Sequence, residues 1–151
     1  MATSSTVATV RTQLVTLISA ALPGIAVTRT RPRLAELERE HIWLEPRATG
    51  RHEIAAIKAG RKPRQESYTL TAVVSVLDQD ESDGPEVAEA RALVLLSEIE
   101  DVLADDPRLG LAGAIDWATA GEFESQLFLS AEPEGWLAEA KLGIDVVARL
   151  T

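Results

Sequence analysis

The sequence predicts an α+β fold, a single domain in which a mostly antiparallel β-sheet has two principal helices packed on one face. Three segments lead to this prediction. Residues 65–78 alternate apolar and polar side chains with a period of two, which is typical of a strand. Residues 85–104 repeat apolar side chains every three or four positions, as an amphipathic helix does. Residues 135–150 alternate again and predict a long strand with one face in water.

The size and composition of the chain are those of one globular domain, which we place over residues 1–151. Of these residues 46% are hydrophobic, and no apolar run reaches the roughly 18 residues that a membrane-spanning helix needs. The N-terminus lacks the pattern of a secretory signal. The chain has no cysteine, which excludes disulfides, thiolate metal sites and thiol nucleophiles. We therefore expect no membrane partner.

The first part of the chain predicts a helix followed by short strands. Residues 3–22 have helical spacing, and either Ser4 or Ser5 can serve as the N-cap. Residues 25–30 predict a short strand. Residues 33–40 fit a single helical turn and a loop equally well.

A hairpin and a basic segment are predicted next. Residues 41–46 and 51–57 are expected to pair as neighbouring strands, because Thr49 and Gly50 supply a turn between them. Residues 58–64 contain four basic side chains, a glycine and a proline, and predict an exposed loop.

A second principal helix is predicted to begin near Pro85, a residue that fits the first helical turn. Ser82 or Asp83 can accept hydrogen bonds from its first amides. Residues 109–120 then predict a strand, and residues 124–130 its antiparallel partner across a turn.

Charge is distributed unevenly along the chain. Residues 1–64 carry eleven Lys or Arg against five Glu, a charge of +6. Residues 65–151 carry four basic and nineteen acidic side chains, a charge of −15. A chain polarised in this way can attract copies of itself, basic face to acidic face, although apolar burial must hold the contact at physiological salt.

Four phrases of the sequence together resemble the tail-terminator, or tail-completion, proteins of long-tailed bacteriophages. The phrases are RQESYTLTAVVSV at residues 64–76, AEARALVLLSEIE at residues 88–100, the turn DPRLG at residues 106–110, and AEAKLGIDVVARL at residues 138–150. The order of the predicted elements resembles that family as well, and the resemblance covers most of the chain.

The resemblance implies a structural virion protein rather than an enzyme. In that family the subunits close into a ring, typically a hexamer, which caps the tail tube, ends its polymerisation and joins the tail to the head. The implied partners are other copies of the chain, the tail tube protein and a head connector or head-closure protein. Genome DNA is expected to pass through the lumen without specific binding. The implied location is the neck of the tail, after assembly in the host cytoplasm.

Four residues are candidate assembly contacts. Arg61, Lys62 and Arg64 can form an arm that touches a neighbouring subunit or the tail tube, or they can lie at a solvated hairpin tip. Trp136 opens the last strand next to a turn and fits either the core or a subunit contact.

No catalytic or cofactor residues are predicted, because the nucleophile-elbow, phosphate-loop and dinucleotide motifs are missing. Two alternatives stay open. One is another head-tail joining protein, such as a head-closure component. The other is a small metal-dependent hydrolase that uses His41, Glu45 and His52, with Glu53 as a further candidate ligand. The residues fix no complete set of ligands, so we expect no metal.

Overall fold

The computed structural model describes residues 4–54, 63–79, 84–131 and 134–150. Its elements follow in the order α1 (Val7–Ala21), β1 (Ala26–Thr28), a short 3₁₀ turn (Leu34–Glu36), β2 (Glu40–Leu44), β3 (Thr49–Ile54), β4 (Arg64–Asp78), α2 (Pro85–Asp105), β5 (Trp117–Ala131) and β6 (Glu134–Leu150). They form a mixed six-stranded sheet with two helices, which confirms the predicted α+β fold. Within the described residues, no helix is long and apolar enough to cross a membrane.

The sheet is built around the pair β4 and β6. These strands are antiparallel and pair along the whole of β4, from Arg64 opposite Leu150 to Asp78 opposite Trp136. The strand order is β1-β2-β4-β6-β5, and β3 also pairs with β4. All strand pairs are antiparallel except β1 with β2.

The predicted hairpin of residues 41–46 and 51–57 is wrong. β2 and β3 do not pair with each other, because both pair with β4, one after the other along its free edge. The Glu45 N–H still donates to the Thr71 carbonyl oxygen at 2.9 Å, and the chain leaves the ladder only at Pro46, which has no N–H. A strand of 15 residues is long enough to pair with both segments. Residues 55–57 of the predicted hairpin lie outside the described residues.

The two strands predicted at residues 109–120 and 124–130 are a single strand, β5, preceded by turns. Leu109, Leu111 and Ala114 each donate a backbone hydrogen bond three residues back, so the chain turns there. At Gly121 the ladder with β6 shifts register between Ala120 and Phe123. The chain makes a bulge there instead of a hairpin, since β6 is long enough to pair on both sides of it.

Both helices pack on one face of the sheet, as predicted; we call it the helix face and the other the open face. The core joins alternate residues of β4 and β6 to the apolar sides of α1 and α2. Its largest fully buried side chains are those of Leu14, Ile18, Ile42, Leu44, Leu70, Leu95, Ile99, Leu109, Leu142, Ile144 and Leu150. Burial of each such side chain stabilises the fold by about 1.5–3 kcal/mol.

The helix starts differ from the predicted caps. The N-cap of α1 is Thr6, neither Ser4 nor Ser5. Pro85 is the first residue of α2, as predicted, and Gly84 is its N-cap. Ser82 and Asp83 lie outside the described residues. The Thr6 side chain makes no cap hydrogen bond to α1, and Gly84 has no side chain with which to cap α2.

Candidate assembly surface

β5 forms one lateral edge of the sheet, since its only strand partner in the described part of the chain is β6. In a strand, alternate backbone N–H and C=O groups point to either side. Half of the polar backbone of β5 therefore faces away from the sheet. We call this side, over residues 117–131, the β5 edge.

Large apolar side chains along the β5 edge are exposed. Phe123 is 65% exposed and Leu129 72% exposed. Leu129 lies on the helix face because it pairs with Trp136, which packs against the core. Trp117, on the open face, is 42% exposed. Natural edge strands usually carry Lys or Pro, which discourage pairing with other chains. β5 has neither, so it has the character of a strand that another protein covers.

The opposite edge of the sheet is formed by β1 and β3, and we call it the β1–β3 edge. Every residue of β3 is exposed, and its only strand partner among the described residues is β4. The charges of the two edges differ: the β5 edge carries only Glu122 and Glu124, whereas Arg29 directly follows β1 and β3 carries Arg51 with Glu53, whose Oε1 lies 3.1 Å from Arg51 Nε. The Arg51 side chain is 75% exposed.

The open face carries an acidic groove of about 610 Å³, lined by Glu45, Thr69, Thr71, Glu122, Phe123, Glu124, Lys141, Gly143 and Asp145. Lys141 Nζ lies 2.8 Å from Glu45 Oε1. This hydrogen bond raises the pKa of Lys141 above its usual value and keeps the amine charged. Thr69 donates to Asp145 Oδ1 at 2.6 Å. The groove holds four carboxylates and one amine, and it is net negative.

A buried polar cluster joins the start of α1 to β4. The Glu66 carboxylate is almost fully buried and accepts hydrogen bonds from the Ser5 hydroxyl, the Thr6 N–H at 3.1 Å and the Thr6 hydroxyl at 3.3 Å. Tyr68 in turn donates to Thr6 Oγ1 at 2.9 Å. Burial raises the pKa of Tyr68 to about 12. Glu66 thus accepts from the backbone N–H of the N-cap residue, which has no partner within the helix.

The cluster does not have the order of a catalytic triad. His52 Nε2 lies 3.6 Å from Glu66 Oε1, and Ser5 bonds the same carboxylate. In a triad the imidazole lies between hydroxyl and carboxylate, so that it can take the hydroxyl proton. Here the carboxylate lies between the other two, and it anchors rather than activates Ser5.

The candidate ligands of the alternative metal-dependent hydrolase are separated. His41 of β2 is buried. Its Nε2 is 3.0 Å from Thr28 Oγ1 of β1, and its Nδ1 accepts from the N–H of Glu38, in the loop before β2, at 3.4 Å. Glu45 pairs with Lys141, and His52 lies beside Glu66. In residues 4–54, 63–79, 84–131 and 134–150, no three His, Asp or Glu side chains are grouped as metal ligands.

Two of the four predicted assembly residues are described. Arg64 is the first residue of β4, opposite Ile54 of β3. Trp136 is half-buried against the core and pairs with Leu129 of β5. Part of its side chain therefore contacts the core, and a subunit contact at Trp136 stays a prediction. Arg61 and Lys62 lie outside the described residues.

Sequence reasoning missed the β5 edge and Glu66. The signal for the edge was present: residues 117–131 hold four large exposed apolar residues and no Lys, Arg or Pro. Splitting the segment into a hairpin hid it. The burial of Glu66 had no local signal, because its partners lie 60 residues away in the chain.

Comparisons with known proteins give one kind of result, a likeness of fold. No family model and no curated protein matches the sequence. Among solved structures, the chain is similar to the sheath/tube terminator of the extracellular contractile injection system PVC, determined in the extended state by cryo-EM. The TM-score is 0.51 at 13% identity, over 99% of this chain and 57% of the other.

The fold is similar to that of a sheath/tube terminator. At this identity the likeness shows the fold alone. The chain spans little more than half the length of that neighbour. The likeness supports a terminator-like fold, which the sequence resemblance implies, and the neighbour is a structural protein rather than an enzyme.

Proposed function

We propose that this chain is a tail-terminator subunit, which closes with its own copies into a ring that caps the tail tube and ends its polymerisation. The observation that carries the proposal is the fold likeness over 99% of the chain to a sheath/tube terminator. The uncovered β5 edge supports it, because an exposed apolar edge suits a protein that works in an assembly.

The ring is proposed to be a hexamer at the neck of a phage tail, where it joins the tail to a head connector or head-closure protein. In this role the protein acts through surfaces and carries out no chemistry. Genome DNA passes through the lumen without specific binding, in keeping with a net charge of −9.

The ring is tested directly by native mass spectrometry and by electron-microscopy class averages of the purified protein. We expect a closed ring of several copies that persists on dilution and binds the end of the tail tube. A monomer at micromolar concentration that does not assemble when tubes are added would count against the proposal.

Particles that lack the protein separate termination from the alternative of head closure. A terminator leaves overlong tails that fail to join heads. A head-closure protein leaves filled heads that leak DNA, and that outcome would transfer the chain to the other class.

The basic segment is proposed to contact the tail tube or a neighbouring subunit through Arg61, Lys62 and Arg64. Arg64, the last residue of this segment, lies at the border of the sheet, where it pairs with Ile54 of β3. We expect that Arg61→Glu with Lys62→Glu weakens tube capping, while Arg108→Glu, a control on an exposed turn, does not. If both variants cap tubes equally well, the basic segment does not contribute to the interface.

A further inference from the structure

The two lateral edges of the sheet are candidates for one and the same interface. They lie on opposite sides of the subunit, as a head-to-tail contact between copies requires. The β5 edge is apolar and acidic, whereas the β1–β3 edge carries Arg29 and Arg51 against the single carboxylate of Glu53. The two edges therefore differ in charge, because the strand order places β1, β2 and β3 on one side of the sheet and β5 on the other.

We propose that the β5 edge of one copy lies along the β1–β3 edge of the next copy, so that the sheets of neighbouring subunits are continuous around the ring. This inference rests on the proposed ring and adds to it the contact that closes it. Its occupant is a second copy of this chain.

Strand directions permit this pairing. β4 and β5 run the same way, since each is antiparallel to β6, and β3 runs opposite to β4. Rotation about an axis along the strands preserves direction. β3 of the next copy is therefore antiparallel to β5, and so is β1, which runs parallel to β2. Antiparallel pairing satisfies the free backbone groups of the β5 edge.

The residue rows of the sheet show which side chains meet. Three rows cross the sheet from edge to edge: Thr49–Thr69–Asp145–Thr119, Arg51–Ser67–Val147–Trp117, and Thr28–Trp43–Val73–Lys141–Glu124. If neighbouring copies are level, Arg51 of one lies beside Trp117 of the next. Both side chains are exposed on the open face, and a guanidinium over an indole ring is a favourable contact. The third row is one strand longer, because β1 lies outside β2, and it ends at Thr28, next to Arg29.

Cysteine cross-linking tests the proposal, because the chain has no cysteine of its own. Thr49 and Thr119 are exposed and end the same row, so Thr49→Cys and Thr119→Cys in one chain place two thiols at the proposed contact. A short bis-maleimide tolerates a shift of one or two residues. We expect covalent multimers up to the full ring on a denaturing gel. Each single variant serves as a control and is expected to stay uncross-linked.

The outcomes separate this inference from the proposed function. If native mass spectrometry shows a ring and the double variant gives no multimers, the edges do not meet and the inference is overturned, while the ring stands. Covalent dimers of Thr119→Cys alone would mean that β5 pairs with β5 across a twofold axis, which also overturns it. A monomer in native mass spectrometry would overturn the proposed ring itself. Unchanged circular dichroism of the double variant shows that it is folded.

Discussion

Glu66 holds the start of α1 on the sheet through hydrogen bonds to Ser5 and Thr6. A buried carboxylate is costly unless its oxygens are bonded, and here three donors converge on it. The negative charge also lies at the helix N-terminus, where the helix dipole favours it. One side chain of β4 therefore fixes the N-cap residue of α1 and accepts from its N–H.

Glu66→Gln is expected to lower the free energy of unfolding by about 1–2 kcal/mol, because it removes the charge and gives the site a donor facing the Thr6 N–H. Urea denaturation at neutral pH measures the loss. Glu53→Gln, on the exposed strand β3, is the matched control and should change stability little. Equal losses in both variants would contradict the anchoring role of Glu66.

His41 gives a pH dependence of stability. Burial lowers the pKa of His41 below 6.5, although the charge of Glu38 opposes the shift. As pH falls below about 6.5, the unfolded chain takes up this proton before the folded one, so stability is lost; above that pH it is fully present. We expect the urea midpoint to fall more between pH 7.5 and 5.5 in the native protein than in His41→Gln. An equal fall in both would show that His41 does not contribute.

At the scale of elements, β4 organises the sheet because it is long enough to take β6 on one side and two successive strands on the other. The close approach of β3 depends on Gly50, which pairs with Tyr68. A Cβ at Gly50 would lie 2.4 Å from the Ser67 carbonyl oxygen and 2.4 Å from Tyr68 Cβ. The turn glycine of the predicted hairpin is in fact a packing glycine.

Gly50→Ala is expected to destabilise the protein by about 1–3 kcal/mol, because the backbone of β3 must move away from β4. Thermal or urea unfolding measures the effect. Thr49→Ala tests the neighbouring exposed position and should be nearly neutral. If Gly50→Ala matches that control, β3 does not pack as closely as described.

At the scale of the whole molecule, an exposed apolar edge and a polarised charge distribution both favour self-association. Contiguous exposed apolar surface on a folded protein marks an interaction site more often than chance scatter does. Phe123 and Leu129 are the largest such contributions in β5. Assembly would cover them and pair the free backbone groups beside them.

Phe123→Glu is expected to shift the protein from ring to monomer, because it places a third carboxylate on an edge that needs burial. Analytical ultracentrifugation measures the shift, and an unchanged circular dichroism spectrum shows that the fold is kept. Val94→Glu makes the same change at an exposed apolar position of α2 and should leave the ring intact. Loss of assembly in both variants, or in neither, would contradict a role specific to β5.

Much of the fold follows from local patterns, and the candidate surface follows only in part. α2, β4 and β6 were predicted nearly to the residue because each is long, periodic and buried on one side. The predicted contacts at Arg61, Lys62, Arg64 and Trp136 stay predictions. The β5 edge was not predicted, since it exists only when residues 117–131 are known to form one edge strand.

The sequence alone was sufficient for the helix-and-sheet class, the faces of the long elements and the division of charge, because these depend on spacing and composition along the chain. Strand partners required the tertiary structure. The sequences of β2, β3 and β5 indicate strands but not which neighbour supplies their hydrogen bonds: β2 and β3 share the 15-residue β4, and β5 pairs with the 17-residue β6. The same reason explains Glu66: its burial depends on a helix start that is distant in sequence and close only in the folded chain.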